Sequence, residues 1–268
     1  MTSLSIRSAL IAVASAAALA APLAAVAQQA PSPQLEARAW LLVDLNSSRQ
    51  LAAQNAAERV EPASLTKLMT AYLTFSALRD GRIKLDQQVR PSNLVLTVGT
   101  DESRMFIEPN KPVAVSDLLQ GMIVQSGNDA SLALAELVGG SMPGFVAMMN
   151  QQAQQMGMKG THFANPTGIP DPDHYTTAQD LALLTTRLIR DFPQYYTYYS
   201  QREFTYDNIR QPNRNRLLAL DPSVDGVKTG HTSTAGYCLI SSAQRPLPDL
   251  PGHPANGAAR RLLAVVIG

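Results

Sequence analysis

The order of secondary-structure patterns along the chain limits its possible folds more than any other sequence feature. Residues 39–44 and 49–54 form apolar or alternating runs that predict two strands joined by a turn. Apolar residues at helical spacing then predict a helix over 64–79, which ends before Gly81. The apolar face of this helix is broad, which indicates a helix buried between two layers.

The middle of the chain is helical, and its end returns to strands. Helical spacing and capping residues predict four further helices: one capped by Ser116, and others at 128–138, 143–156 and 177–190. Short apolar runs then predict strands at 203–206, 236–242 and 262–267. We therefore expect an α+β fold, with an antiparallel sheet whose first and last strands are neighbours and whose face is covered by helices.

Composition excludes several functional classes. The chain has 268 residues, of which 45% are hydrophobic and 16% are charged, enough for one core but not for two large domains. The net charge of +1 gives no electrostatic reason to expect a nucleic-acid partner. One cysteine, Cys238, excludes an internal disulfide and a multi-cysteine zinc site, and the four histidines lack ligand spacing. We expect neither a metal nor a cofactor.

The first 27 residues have the pattern of a signal peptide. Arg7 precedes an apolar stretch over 9–23, and small residues at 25–27 form a cleavage site that ends at Ala27. A membrane anchor is the alternative, but the stretch is rich in alanine and contains Pro22. We expect cleavage after about Ala27, a disordered lead-in over 28–36, and a mature protein in the periplasm or cell envelope.

Three short motifs occur in order: Ser-Leu-Thr-Lys at 64–67, Ser-Gly-Asn at 126–128 and Lys-Thr-Gly at 228–230. Each motif alone is common by chance. A Ser-x-x-Lys at a helix start, a Ser-Gly-Asn turn before a helix and a Lys-Thr-Gly strand together indicate one catalytic site.

The first motif supplies a nucleophile and its base. Ser64 and Lys67 lie one helical turn apart, so the lysine can reach the serine hydroxyl. A free lysine has a pKa near ~10.4, and lowering it by about 3 units requires roughly 4 kcal/mol, from burial and from a second cation such as Lys228. The expected oxyanion hole is the N–H of Ser64 with that of His231, each worth about 3 kcal/mol.

The other two motifs are expected to hold and process a substrate. Ser126 can relay a proton to a leaving amine, and the Asn128 amide can hold both the lysine of the first motif and the substrate amide. Lys228 and Thr229 can bind a terminal carboxylate. Gly230, on an exposed strand at the sheet edge, lets an extended peptide approach as an additional strand.

With these motifs the chain resembles the low-molecular-mass penicillin-binding proteins, the D-alanyl-D-alanine carboxypeptidases. The segments 165–168, 213–215 and 224–232 share the likeness. The resemblance implies a β-lactamase/transpeptidase-like catalytic domain over 37–268, with a helical subdomain. It further implies an acyl-enzyme on Ser64, removal of the terminal D-alanine from peptidoglycan stem pentapeptides, covalent binding of β-lactams, and Arg214 near the substrate carboxylate.

The chain departs from that family at its end. It stops at Gly268 inside an expected strand, without the small C-terminal β domain or the amphipathic helix that rests on the membrane. We therefore expect a truncated catalytic domain, whose peripheral membrane association would require the missing part. A Pro/Gly-rich stretch over 244–259 is about ten residues longer than a tight hairpin needs.

Two other interpretations remain open. One is a related serine hydrolase: a murein endopeptidase, an esterase or a β-lactamase. The β-lactamase needs a deacylating glutamate, and only Glu136 and Glu203 lie between the second and third motifs. The other is a non-catalytic peptidoglycan-binding or β-lactam-sensing module, against which the complete set of motif residues argues.

Overall fold

A computed structural model describes residues 33–246 and 258–268, and residues 34–268 belong to one compact unit. The strands of the main sheet are β1 (Ala39–Asp44), β2 (Arg49–Gln54), β7 (Val224–Thr232), β8 (Gly236–Pro246) and β9 (Ala259–Ile267). The helices are α1 (Lys67–Arg79), α2 (Val115–Gln120), α3 (Asn128–Gly139), α4 (Met142–Met156), α5 (Ala178–Asp191), α6 (Pro193–Tyr196) and α7 (Leu217–Leu220). Two small ribbons pair β3 (Gln88–Val89) with β4 (Val113–Ala114) and β5 (Glu203–Tyr206) with β6 (Ile209–Pro212).

The main sheet is antiparallel throughout, in the order β2-β1-β9-β8-β7. β1 lies beside β9, with Ala39 opposite Ile267 and Asp44 opposite Leu262. The prediction that the first and last strands are neighbours, in an α+β fold, is therefore confirmed. β7, which carries the Lys-Thr-Gly motif, is an edge strand.

Helix α1 lies at the centre of the fold. Eleven side chains along it are buried, from Lys67 to Leu78, so nearly its whole circumference is covered. It contacts α3, α4 and α5, while α5 packs on strands β1 and β9 of the sheet. This position explains the broad apolar face in the sequence. The 3₁₀ turn before α1, Ala63–Thr66, lies against β7.

The capping predictions are partly wrong. Helix α2 begins at Val115 after Ala114, and Ser116 lies in its first turn, because the loop carbonyls of Gln87 and Leu85 already accept from the first two N–H groups. At α5, Thr177 Oγ1 accepts from Asp180 N at 3.0 Å. In a capping box the Asp180 carboxylate would accept from the backbone N–H of Thr177. It accepts from Gly160 N and Thr161 Oγ1 instead.

Several expected segments lie partly or wholly outside the described residues. The predicted signal peptide over 1–27 and most of the lead-in over 28–36 do so, and residues 33–36 have no helix or strand. The expected insertion over 244–259 is shorter than predicted at both ends, because Gln244 pairs with Arg261 and Pro246 with Ala259. Residues 247–257 of that stretch are not described.

In the described part of the chain, no single helix has both the length and the apolarity to cross a membrane. The pair α3 and α4 meets those criteria only jointly, and the two helices are bent by 84° at their junction.

Candidate active site

The Ser-Leu-Thr-Lys motif forms a 3₁₀ turn that leads into α1. The turn spans Ala63–Thr66, and α1 begins at Lys67, three residues later than the predicted helix start. Side chains three residues apart eclipse one another in a 3₁₀ turn, so Ser64 and Lys67 lie on the same side. Ala63 has φ +47°, a left-handed conformation that is strained for a residue with a Cβ. Such a conformation persists only where the surrounding packing enforces it.

Lys67 is buried and bonded to the nucleophile candidate. Its Nζ donates to Ser64 Oγ at 2.9 Å and to the backbone oxygen of Thr167 at 2.7 Å. The loop that presents Thr167 is fixed by the hydroxyls of Thr70 and Ser131, which both donate to Pro166 O, at 2.8 and 2.7 Å. A backbone carbonyl thus orients the amine towards the serine.

Both lysines of the site have depressed pKa values. Burial first, and then the nearby Lys228 ammonium, hold the pKa of Lys67 well below its usual range. Burial and then Arg214 lower the pKa of Lys228 to about 7. The Glu102 and Asp129 carboxylates, in contrast, raise the pKa of Lys67. Near neutral pH, Lys67 therefore has access to the free amine form that a general base requires.

The second and third motifs meet across the site. Ser126 has φ +69° at the end of a π-helical turn, Gly121–Gln125, that continues α2. Its Oγ accepts from Lys228 Nζ at 2.8 Å, and that Nζ also donates to Thr229 O at 2.9 Å. Residues 126 and 228 are 102 positions apart in sequence, so only the fold brings them together.

Asn128 is the first residue of α3 and is 6% exposed. The sequence predicts that its amide holds Lys67, but these two side chains, both in the described part of the chain, form no hydrogen bond with each other. Instead, Asn128 Nδ2 donates to Glu102 Oε2. Its Oδ1 is buried without a hydrogen-bond partner among the described residues.

Two glycines pack against the backbone at Ser64. A Cβ at Gly230 on β7 would lie 3.2 Å from Ser64 N and from Ala63 Cβ. A Cβ at Gly168, where φ is +89°, would lie 1.8 Å from Ala63 O. The edge strand and the Thr167 loop therefore approach the nucleophile turn from two directions. Only glycine leaves enough space at position 168, whereas a Cβ at position 230 would make a tight contact.

The remaining predicted site residues lie at the rim. Arg214 is exposed, and its Nε donates to Gln125 O at 3.1 Å. Thr229 is half-buried on β7, next to the buried Lys228. His231 is exposed, with its ring 4.4 Å from that of Tyr237 on the neighbouring strand.

Three residues that contact the site were not among the predicted ones. They are Thr167, Glu102 and Asp129. Asp129 directly follows the second motif, and an acidic residue in the first turn of a predicted helix is the local signal that could have found it. Thr167 acts through a backbone oxygen, which no residue type reveals.

Comparison with known proteins agrees with this geometry. Residues 24–250 match the model of peptidase family S11, described as D-alanyl-D-alanine carboxypeptidase. The chain belongs to the D-alanyl-D-alanine carboxypeptidase family. Within that family it is 42% identical over 256 residues to the D-alanyl-D-alanine carboxypeptidase DacC of Escherichia coli strain K12, covering 93% of this chain and 61% of DacC. The chain thus spans about three fifths of the length of that relative.

Solved structures of the family share the fold. Penicillin-binding protein 5 of Haemophilus influenzae superposes with a TM-score of 0.79 at 42% identity, over 88% of this chain and 66% of that one. The ampicillin-bound form of penicillin-binding protein D2 of Listeria monocytogenes superposes with a TM-score of 0.75 at 29% identity, over 88% of this chain and 91% of that one. The predicted β-lactamase/transpeptidase-like fold is therefore confirmed.

Proposed function

We propose that this chain is a serine-type D-alanyl-D-alanine carboxypeptidase that removes the terminal D-alanine from peptidoglycan stem pentapeptides through an acyl-enzyme on Ser64. The observation that carries the proposal is the 2.9 Å bond between Ser64 Oγ and Lys67 Nζ, made by a lysine that is only 2% exposed. A hydroxyl beside a buried amine is the pairing that activates a serine nucleophile.

In acylation, Ser64 Oγ attacks the carbonyl carbon of the penultimate D-alanine while its proton passes to the free amine of Lys67. The backbone N–H groups of Ser64 and His231 stabilise the oxyanion. Gly230 supports this role, because it is the residue that brings β7 next to Ser64 N. Each donor of this kind typically contributes about 3 kcal/mol of transition-state stabilisation.

The leaving group departs with a proton. As the C–N bond breaks, the proton that Lys67 took from Ser64 passes through the Ser126 hydroxyl to the nitrogen of the terminal D-alanine, which leaves Lys67 as a free amine again. The 2.8 Å bond from Lys228 orients the Ser126 hydroxyl. Water then attacks the ester carbon, with Lys67 as the base, and returns Ser64 Oγ to its hydroxyl form. The Asn128 amide positions the substrate amide during both steps.

The substrate binds as an extended chain along the edge strand β7, which leaves one side of its backbone unpaired in the sheet. Its terminal carboxylate lies between the cations of Lys228 and Arg214, with the Thr229 hydroxyl as a further donor. Lys228 is only 3% exposed, which strengthens this attraction, because water does not screen a buried charge well.

We further propose that β-lactams acylate Ser64. The structure of penicillin-binding protein D2 of Listeria monocytogenes is of an ampicillin-bound form. A β-lactam presents an amide and a carboxylate to the same donors as the natural substrate.

We also propose that residues 1–27 are a signal peptide and that the catalytic domain over 37–268 works in the periplasm or cell envelope.

Neither glutamate between the second and third motifs is placed as the deacylating base of a β-lactamase. Glu136 accepts from Ser92 Oγ at 2.9 Å, and Glu203 pairs with Arg210 on the β5–β6 ribbon. Neither contacts a residue of the three motifs, so neither is placed to activate a deacylating water.

The test is D-alanine release from a stem pentapeptide. We expect release by the wild-type protein and by Ser76→Ala, a hydroxyl at the far end of α1, but none by Ser64→Ala. Cleavage of a cross-linked dimer in preference to the pentapeptide would instead indicate an endopeptidase. Penicillin labelling without any peptide cleavage would indicate a β-lactam sensor.

A further inference from the structure

The loop over 99–107 is bonded to the start of α3, next to the second motif. Asn128 N donates to Ser103 O at 2.7 Å. The Asp129 carboxylate accepts from the backbone N–H groups of Met105, Phe106 and Ile107 at 2.8 to 3.2 Å. These bonds fix the loop to the residues that carry the site, so a side chain of the loop can have a defined place in it.

Glu102 is the loop residue that reaches the site. Its backbone N donates to Gly99 O at 3.1 Å, and its Oε1 accepts from Gly99 N at 2.9 Å, so a turn holds the carboxylate. Its other oxygen, Oε2, accepts from Asn128 Nδ2. Glu102 is therefore anchored on one side and bonded to a motif side chain on the other.

The chemistry of this contact fixes the orientation of the Asn128 amide. An ionised carboxylate can only accept hydrogen bonds, whereas an amide has a donor end and an acceptor end. Rotation of the Asn128 amide by half a turn would place Oδ1 against Glu102 Oε2, two acceptors in contact. A neutral side chain at position 102, such as glutamine, would accept either orientation.

We propose that Glu102 is a positioning residue of the active site, which holds the Asn128 amide with Nδ2 towards Glu102 and keeps Oδ1 as an acceptor for the reacting partners. The proposal rests on the proposed acylation of Ser64. The buried Oδ1, which has no partner in the described part of the chain, supports it. A buried acceptor without a donor is costly unless something that binds supplies one.

The pH dependence of the acylation rate gives a second test of the proposal. Lys67 is faced by Lys228 on β7, Arg214 after β6, Asp129 on α3 and Glu102 on its loop. Glu102 and Asp129 raise the pKa of Lys67, and the two cations lower it. Removing the Glu102 charge therefore moves the acidic limb of the acylation rate to lower pH. Loss of the Asp101 carboxylate, which is not among the charges that act on Lys67, is expected to leave that limb in place.

The experiment measures the rate of acylation by fluorescent penicillin in a double-mutant cycle. The variants are Glu102→Gln, Asn128→Ala and the two together, with Asp101→Asn as the control for loss of a neighbouring loop carboxylate. We expect Glu102→Gln to slow acylation by about 10-fold to 100-fold, the range for a hydrogen bond to a charged group. In the Asn128→Ala background, the same change should have less than about a 2-fold effect, because the group it positions is absent.

Three results would overturn the inference: acylation of Glu102→Gln at the wild-type rate, an equal slowing in both backgrounds, or a slower deacylation with normal acylation. The last would make Glu102 a base for water. If Glu102→Gln does not fold, Glu102→Ser enters the same cycle with the same expected outcomes. Absence of labelling in the wild-type protein would instead refute the proposed function, which separates the two failures.

Discussion

His174 is a buried histidine beside the nucleophile turn, and we expect its protonation to weaken the fold. It is 2% exposed. Its Nδ1 accepts from Ala164 N at 3.3 Å, so the neutral ring carries its hydrogen on Nε2 and donates to Thr66 Oγ1 at 2.8 Å. A protonated ring would set two N–H donors against each other at Ala164. Burial accordingly lowers the pKa of His174 from 6.5 to about 4.

The size of the stability loss follows from the difference between the folded-state and unfolded-state pKa values of His174. Because the folded-state pKa lies below the unfolded one, the unfolded chain binds the proton first as the pH falls. The stability is therefore fully present above about pH 6.5 and is lost progressively down to about pH 4. The shift of about 2.5 units corresponds to about 3 kcal/mol in all, of which about 2 kcal/mol is lost by about pH 5.

Urea unfolding at about pH 7.5 and about pH 5 measures this loss. We expect the wild-type protein to lose about 2 kcal/mol more than His174→Gln does between those two pH values. His231→Gln, which removes an exposed histidine that does not contribute to the lowered pKa of His174, is expected to keep the wild-type dependence. An equally steep loss in His174→Gln and in the wild type would refute the assignment of this stability to the buried, neutral ring of His174.

Three further predictions concern the catalytic geometry. Lys67→Ala is expected to slow acylation by penicillin by about 100-fold or more, with an unchanged circular dichroism spectrum, because it removes the base. Lys228→Ala removes a cation that lowers the pKa of Lys67, so the acidic limb of the acylation rate is expected to move to higher pH. Gly168→Ala places a Cβ against Ala63 O and is expected to cost about 3 kcal/mol or more in urea unfolding. Gly157→Ala, at φ +83° with open space around it, is the control and is expected to cost only about 1 kcal/mol.

Each of these predictions has a contradicting outcome. Acylation of Lys67→Ala at the wild-type rate would exclude it as the base. An acidic limb that stays in place or moves to lower pH in Lys228→Ala would exclude the charge coupling between the two lysines. Equal losses of unfolding free energy for the alanine substitutions at positions 157 and 168 would show that the predicted clash between residue 168 and Ala63 O does not destabilise the fold.

The sequence predicted the regular elements well where one local signal dominates. Strands β1, β2 and β5 have the predicted bounds, because period-two patterns and flanking turns define them. Helices α3, α4 and α5 lie within one or two residues of prediction, since a cap or a glycine marks their ends. The two-residue strands β3 and β4 and the 3₁₀ turn before α1 have no comparable signal.

The candidate site likewise contains residues that the sequence predicts and contacts that it does not predict. The motif side chains are visible in the sequence because their types and spacing are unusual in combination. The contact between Asn128 and Glu102 joins residues 26 positions apart, with no pattern to pair them. The carbonyl of Thr167 at Lys67 depends on the loop conformation that Thr70 and Ser131 impose through Pro166. Such contacts are set by tertiary packing and could not be predicted locally.

The most direct test of the central claim is peptide mass analysis of the protein after incubation with penicillin. A Ser64 hydroxyl activated by Lys67 predicts one covalent adduct, on the peptide that contains Ser64, and none in Ser64→Ala. An unmodified wild-type protein, or an adduct on a different peptide, would contradict the account.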